Sequence, residues 1–248
     1  MDGHEEQNIF ETDEHILHMW EPLKFKVEPG YDYLRNSVLS RAATFLLRGF
    51  AAIILFFLNR ILFGFEIEGD QNVDKLGDKG AITICNHVHP MDCTMVNMAL
   101  LSRRVYYITL ERNFKIPVIR HIIRILGAVP LPNNYHYAGE MFEAMGEAVR
   151  NSACVQVYPE AVMQPYCKNL RRFKNGAFQM AVDNDVPVLP MAIKQVKPDK
   201  LYALYKTKPC LRLVVLPPVY PDKTLPRKEA VEKLKEECFN AMKEVVEA

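Results

Sequence analysis

Residues 81–92 read AITICNHVHPMD. Ala81–Cys85 is a short apolar run, which predicts a buried strand. Asn86-His87-Val88-His89 then leads to Pro90, a residue tolerated in a first helical turn that pushes the residue before it extended. A helix is therefore predicted from Pro90 to Leu101, with His87 on the loop before it and Asp92 at about its third position. On a continuous helix, residues five apart point roughly 140° away from each other and cannot meet. A chain entering the helix through this loop can instead fold the His87 imidazole back onto the Asp92 carboxylate. In that pairing Asp92 fixes the imidazole tautomer and stabilises the imidazolium, leaving His87 free to take a proton from a hydroxyl. The same spacing also suits an acid that merely complements a helix N-terminus, with His87 an ordinary loop residue. A third reading, zinc held by Cys85, His87, His89 and Cys93, lacks the paired ligand spacing that metal sites show.

Outward from this stretch, short apolar strands alternate with helices. Strands are predicted at Val105–Thr109, Ala128–Leu131, Cys154–Tyr158, Val186–Ile193 and Leu211–Leu216. Helices are predicted at Pro117–Leu126, Tyr137–Arg150, Phe173–Asp183 and Arg227–Val246, and Asp32 could cap a helix starting near Tyr33. This alternation implies an α/β fold: a mixed, largely buried β-sheet flanked by helices. Pro187 and Pro190 lie within one predicted strand, which marks it as an edge strand or locally irregular.

Upstream, Ala42 to Phe65 is the most apolar segment of the chain. Arg48 and Arg60 interrupt it. Only ten residues separate Arg48 from Asn59, about 15 Å of helix and about half a hydrocarbon core. An N-terminal apolar membrane-docking helical segment is the expectation, peripheral or monotopic; a buried core helix is the plainer alternative. The chain thus divides into an acidic N-terminal arm (1–30), the docking segment (31–65) and an α/β body (66–248).

With 248 residues, the chain is long enough to bury a core without disulfide or metal staples. Its mean hydropathy of -0.09 is too polar for a bundle of membrane-spanning helices. Residues 1–30 carry eight acids against Lys24 and Lys26, so the remainder is basic and suits phosphate groups or an anionic membrane. Nucleic acid is not expected, because no aromatic stacking motif accompanies the charges. None of the six cysteines forms a Cys-x-x-Cys pair, and the acidic start resembles no secretory signal, so a cytosol-facing location with free thiols is expected.

Further candidates are basic or acidic side chains near strand ends. Arg103, Arg104, Arg112, Lys115, Arg120 and Arg124 form one basic stretch; Lys168, Arg171, Arg172 and Lys174 form another. Either could hold a phosphate or an anionic surface. Glu160 follows Tyr158-Pro159 at a strand end, where α/β proteins commonly place binding groups.

Four ordered stretches resemble the glycerolipid acyltransferase family, which includes lysophosphatidic acid acyltransferase. They are Asn86-His87-x4-Asp92; Phe114-Lys115-Ile116-Pro117 with Leu126-Gly127-Ala128-Val129-Pro130-Leu131; Tyr158-Pro159-Glu160 with Phe173-Lys174-Asn175-Gly176-Ala177; and Val186-Pro187-Val188-Leu189-Pro190. The resemblance spans roughly residues 65 to 195. It implies acyl transfer from acyl-CoA or an acyl carrier protein to lysophosphatidic acid or another lysophospholipid. His87 would be the general base, oriented by Asp92, at the cytoplasmic face of a membrane and with no metal or resident cofactor. Two departures bear on the acceptor. Asn133 stands where the family has a phosphate-binding arginine, and Pro159-Glu160 continues as Ala161-Val162-Met163 where the family has Gly-Thr-Arg. Arg171, Arg172 or Lys174 would then supply the missing charge beside Glu160, or the acceptor is less anionic than lysophosphatidic acid. A catalytically silent lipid- or acyl-binding protein is the rival expectation; an intact His87 and Asp92 pair argues against it.

Overall fold

The computed structural model describes residues 24–117, 119–132 and 135–248. Seven strands form one sheet: β1 (Glu66–Glu68), β2 (Ala81–Cys85), β3 (Val105–Leu110), β4 (Ala128–Leu131), β5 (Cys154–Val157), β6 (Val188–Val196) and β7 (Cys210–Val215). Their spatial order is β1-β7-β6-β2-β5-β3-β4. All neighbours run parallel except β6 and β7, so the sheet is mixed. Among the described residues, six α-helices accompany it: α1 (Val38–Phe63), α2 (Asp92–Ala99), α3 (Ile119–Ile125), α4 (Tyr135–Arg150), α5 (Gly176–Asn184) and α6 (Arg227–Val246).

Side chains alternate across the sheet as the period-2 geometry of a strand requires. Ile82, Ile84, Val155 and Val188 face a core completed by Met141 and Met145 of α4, Phe178 of α5, and Leu234 and Met242 of α6. Ala81, Cys85, Cys154 and Leu189 face the opposite core, completed by Met95 and Val96 of α2. Every residue of β2 is buried, as its apolar composition implies. The connection from β2 through α2 leads past β5 to β3, whereas that from β5 through α5 leads back past β2 to β6. With α2 and α5 on opposite faces, the carboxyl ends of β2 and β5 meet at a topological switch point, where open α/β sheets leave a crevice. The loops carrying His87 and Glu160 emerge there side by side.

Several expectations change. The two-proline strand is internal, not an edge: β6 lies between β2 and β7. Pro187 falls just before it. The Pro190 carbonyl accepts from Leu216, one residue past the end of β7, so the missing N–H of Pro190 faces a place where the ladder has already stopped. Residues 31–37 form no helix; the Asp32 carboxylate accepts from the Arg35 N–H and closes a turn, and Ser37 caps α1 instead. Pro90 and Met91 precede α2, so Asp92 is its first helical residue. Two residues of the first basic stretch are spent on structure. Arg103 reaches the carbonyls of Gly77 and Lys79, while Arg104 reaches Leu34 and Asn36. Residues 24–34, including the described end of the acidic arm, pack on the body through Val27, Tyr33 and a Phe25–Phe114 stack at 5.1 Å.

Helix α1 is continuous over 26 residues, about 39 Å, so length alone does not stop it crossing a bilayer. One face carries Thr44, Arg48, Ala52 and Asn59 at helical spacing, and this face meets the body. Thr44 donates to the Ile125 carbonyl, and Arg48 donates to Asn97 and to the carbonyls of Leu100 and Arg103. Ala52 and Asn59 are buried. The other faces expose Phe45, Leu46, Phe50, Ile53, Phe57 and Ile61 to solvent. Gly64 ends the helix in the left-handed conformation (φ 57°), its N–H returning to Arg60. A Cβ here would sit 2.4 Å from Cys210 Sγ. Gly64→Ala is therefore expected to cost about 1–3 kcal/mol and lower the melting temperature by several degrees in a thermal melt.

Candidate active site

The loop after β2 is organised by one carboxylate. Asp92 is fully buried, and its Oδ2 accepts from the Val88 N–H at 2.7 Å and the His89 N–H at 2.9 Å. The same oxygen lies 3.0 Å from His87 Nδ1. An ionised Asp92 can only accept, so Nδ1 carries the proton and Nε2 keeps a free lone pair. The imidazole is a quarter exposed, which leaves it reachable from outside. Asn86 anchors the loop to the sheet: its amide bonds both the N–H and the carbonyl of Ile193 in β6, at 2.7 and 2.9 Å.

A second carboxylate closes the loop from the β5 side. Glu160 is buried; its Oε2 accepts from the His87 N–H at 3.2 Å and pairs with the Arg171 guanidinium at 2.8 Å. Its Oε1 accepts from the Arg171 N–H at 3.1 Å. Arg171 also reaches the Val162 carbonyl. A buried carboxylate requires such partners, because an unpaired one would cost several kcal/mol. The N–H groups of His87, Val88 and His89 are thus all engaged by carboxylates, so any oxyanion donors belong to other residues.

Tyr158 stacks on His87 with ring centroids 4.3 Å apart and planes 21° from parallel. Its buried hydroxyl has no hydrogen-bond partner among the described residues, and burial pushes its pKa well up. The ring, not the hydroxyl, is what His87 uses. Tyr158→Phe is expected to keep full activity and stability. Tyr158→Ala is expected to lower the melting temperature and to cost about tenfold in kcat, as the imidazole loses its platform. Steady-state rates and thermal melts of the two variants check this.

His89 is held differently. Its Nδ1 accepts from the Met91 N–H, and its ring meets Phe63 of α1 edge-on at 4.6 Å and Tyr166 at 5.8 Å. Burial, helped by Lys208 and Lys206 and opposed by Asp92, lowers its pKa, so it stays neutral at pH 7. Thr94 of α2 donates to Asn59 of α1 at 3.1 Å. The C-terminal end of α1 therefore adjoins the His87 loop.

The structure brings His87, Asp92, Glu160 and Arg171 together. It does not bring Arg172 or Lys174 into the group: both are exposed, and Arg172 lies where its charge acts on Glu232 of α6. Asn133 lies outside the described residues. The Tyr158 platform, the Asn59–Thr94 link and the lysines near His89 were not foreseen. Tyr158 lies two residues before Glu160 in the sequence, but only the fold lays its ring on His87.

A family model described as acyltransferase matches residues 64–194, from the end of α1 to within β6. Among solved structures, eight chains match. One is the crystal structure of the 1-acyl-sn-glycerophosphate (LPA) acyltransferase PlsC from Thermotoga maritima. It is 22% identical, the match covers 84% of this chain and 87% of that one, and the TM-score is 0.57. No curated protein sequence matches.

Proposed function

The chain belongs to the acyltransferase family, and from that premise we propose that it moves an acyl chain from acyl-CoA or an acyl carrier protein to a glycerolipid hydroxyl. The observation that carries the reading is the buried Asp92 carboxylate 3.0 Å from His87 Nδ1; the tautomer that this pairing favours leaves a lone pair on Nε2. His87 takes the acceptor hydroxyl proton on Nε2 as that oxygen attacks the thioester carbonyl. Asp92 holds the tautomer and stabilises the imidazolium. When the carbon–sulfur bond breaks, the imidazolium returns the proton to the leaving thiolate. The acceptor is itself the nucleophile, so no acyl-enzyme and no metal enter the scheme.

Two features favour a lipid acceptor. The similar solved protein acts on 1-acyl-sn-glycerophosphate. The exposed apolar faces of α1 adjoin the loop, with Phe63 against His89. We read α1 as lying in one leaflet at the cytoplasmic face of a membrane. Thr44, Arg48 and Asn59 bond to the body or to α2, and a spanning α1 would drag those partners into hydrocarbon. Tags at residues 1 and 248 are then on one side of a sealed vesicle; opposite sides would refute this placement.

The acceptor is read as a lysophospholipid, with lysophosphatidic acid the more anionic alternative. Arg171 is linked to the His87 backbone through Glu160. If it also binds the acceptor's phosphate, Arg171→Ala raises acceptor KM by about one to two decades, and Arg172→Ala leaves it unchanged. If Arg171 only holds Glu160, kcat falls while KM stays. A side-by-side KM comparison of the two acceptors completes the assignment. The reading itself is tested by thiol release from acyl-CoA on adding acceptor. Acyl-CoA binding without thiol release from any acceptor would instead indicate a silent acyl-binding protein.

A further inference from the structure

Between β6 and β7 the chain makes an excursion that the family match does not reach. From Lys197 to Lys208 it carries four lysines and a single acid, Asp199. A short 3-10 helix, Lys200–Leu204, turns apolar side chains outward: Leu201 is 67% exposed, Leu204 80% and Tyr205 53%. Two hydrogen bonds tie this excursion to the end of α1. The Tyr205 hydroxyl donates to the Ile61 carbonyl at 2.8 Å, and the Lys206 ammonium donates to the Leu62 carbonyl at 2.5 Å. Ile61 and Leu62 are themselves exposed, so the apolar tip of the excursion continues the exposed surface of α1. Beyond the tip, the Lys208 ammonium lies 5.2 Å over the Tyr166 ring, and Tyr166 meets His89. The excursion thus touches both the end of α1 and the aromatic group beside the His87 loop.

We propose that Leu201–Lys208 is a second bilayer-contact element: Leu201, Leu204 and Tyr205 enter the interfacial layer of an anionic leaflet while Lys206 and Lys208 lie at its phosphates. The proposal rests on the reading that α1 docks on a membrane. The occupant is lipid because the charge is nearly of one sign and the apolar side chains form a protruding tip continuous with a larger apolar helix surface. A helix lying alone in an interface can roll about its axis. A second contact beyond its C-terminal end stops that rolling and holds the Tyr166–His89 side of the site against the lipid surface, where an insoluble acceptor resides.

The test is co-sedimentation of the full chain with vesicles of phosphatidylcholine alone, and of phosphatidylcholine with about 30% phosphatidylserine. Leu204→Asp is expected to lower partitioning about tenfold or more on both compositions. Lys208→Gln should lower it about fivefold on the anionic vesicles only. Thiol release with acceptor presented in vesicles should fall in parallel, and release with acceptor in detergent micelles should not. Melting temperatures identify any variant that has lost its fold, and Leu201→Ser is the substitute for Leu204→Asp in that event. Unchanged partitioning of these variants, with loss in the α1 variant Phe50→Asp/Ile53→Asp, would overturn this proposal and leave α1 docking standing. Unchanged partitioning in all of them would overturn both. A Leu204→Asp chain that binds vesicles normally but changes from dimer to monomer on a sizing column would overturn the lipid assignment in favour of a self-contact.

Discussion

His87→Ala is expected to lower acyl transfer by about two to four decades while leaving the protein folded. The large kinetic effect follows from the role proposed for Nε2: without it, no positioned base takes the acceptor proton. The small structural effect follows from what the side chain holds. Its ring is a quarter exposed and, among the described residues, makes one hydrogen bond, to Asp92. Asp92 Oδ2 keeps the Val88 and His89 N–H groups after the ring is gone, so the loop retains its anchor. A loss of about 1 kcal/mol, seen as a shift of roughly 2–4 °C in melting temperature, is the expected structural cost. His89→Ala, whose ring packs between Phe63 and Tyr166 and makes no bond to Asp92 through its side chain, should retain far more activity. Steady-state rates and melts of both variants check the contrast.

Asp92→Asn is expected to be as damaging to rate and worse for stability. The carboxylate uses Oδ2 for the loop and the imidazole, and Oδ1 is buried with no partner among the described residues. An asparagine has two placements. With its oxygen at the Oδ2 position, the amide NH2 is buried unpaired at Oδ1. Flipped, it aims N–H donors at the Val88 and His89 N–H groups. Either costs about 1–3 kcal/mol, and both remove the negative charge that stabilises the imidazolium. The expected result is a loss of about two to four decades in kcat with little change in the donor KM. A melting temperature several degrees lower should accompany it. Near-wild-type turnover in Asp92→Asn would show that the carboxylate serves only the helix start.

Two strands were legible in full, although only one of them is wholly buried. Ala81–Cys85 and Ala128–Leu131 were read to the residue because short apolar runs between turn residues have few other uses. Arg227–Val246 was equally clear from its helical spacing. Misreadings came where tertiary context overrides a local rule. Two prolines argue against an internal strand, yet Pro190 meets β7 only where that strand has ended. Arg48 suggested a break in the apolar segment, but the body supplies carbonyls to an arginine in mid-helix, and α1 stays whole. Strand β1 has three residues, too few for a period-2 signal.

The site divides the same way. His87 and Asp92 lie five residues apart, and the intervening proline gave the clue to their pairing. Arg171, Arg172 and Lys174 could not be ranked, because the loop from Tyr158 to Asn175 contains no helix or strand whose periodicity would orient them. The structure separates them by what each touches: Arg171 pairs with buried Glu160, and Arg172 acts on α6. Lys206 and Lys208 carry no local motif; only the return of the chain from β6 to β7 brings them beside α1 and Tyr166.

In the proposed reaction His87, oriented by Asp92, takes the proton of a lipid acceptor as the acceptor attacks an acyl thioester. Its most direct test is incubation of the wild-type chain and of His87→Ala with radiolabelled acyl-CoA and a panel of lysolipids in vesicles, with the lipid products resolved. Labelled diacyl product from at least one lysolipid is expected with the wild-type chain, and product reduced by at least about a hundredfold with the variant. Equal product from the two proteins would contradict the role of His87, and no product from the wild-type chain with any donor or acceptor would contradict acyl transfer itself.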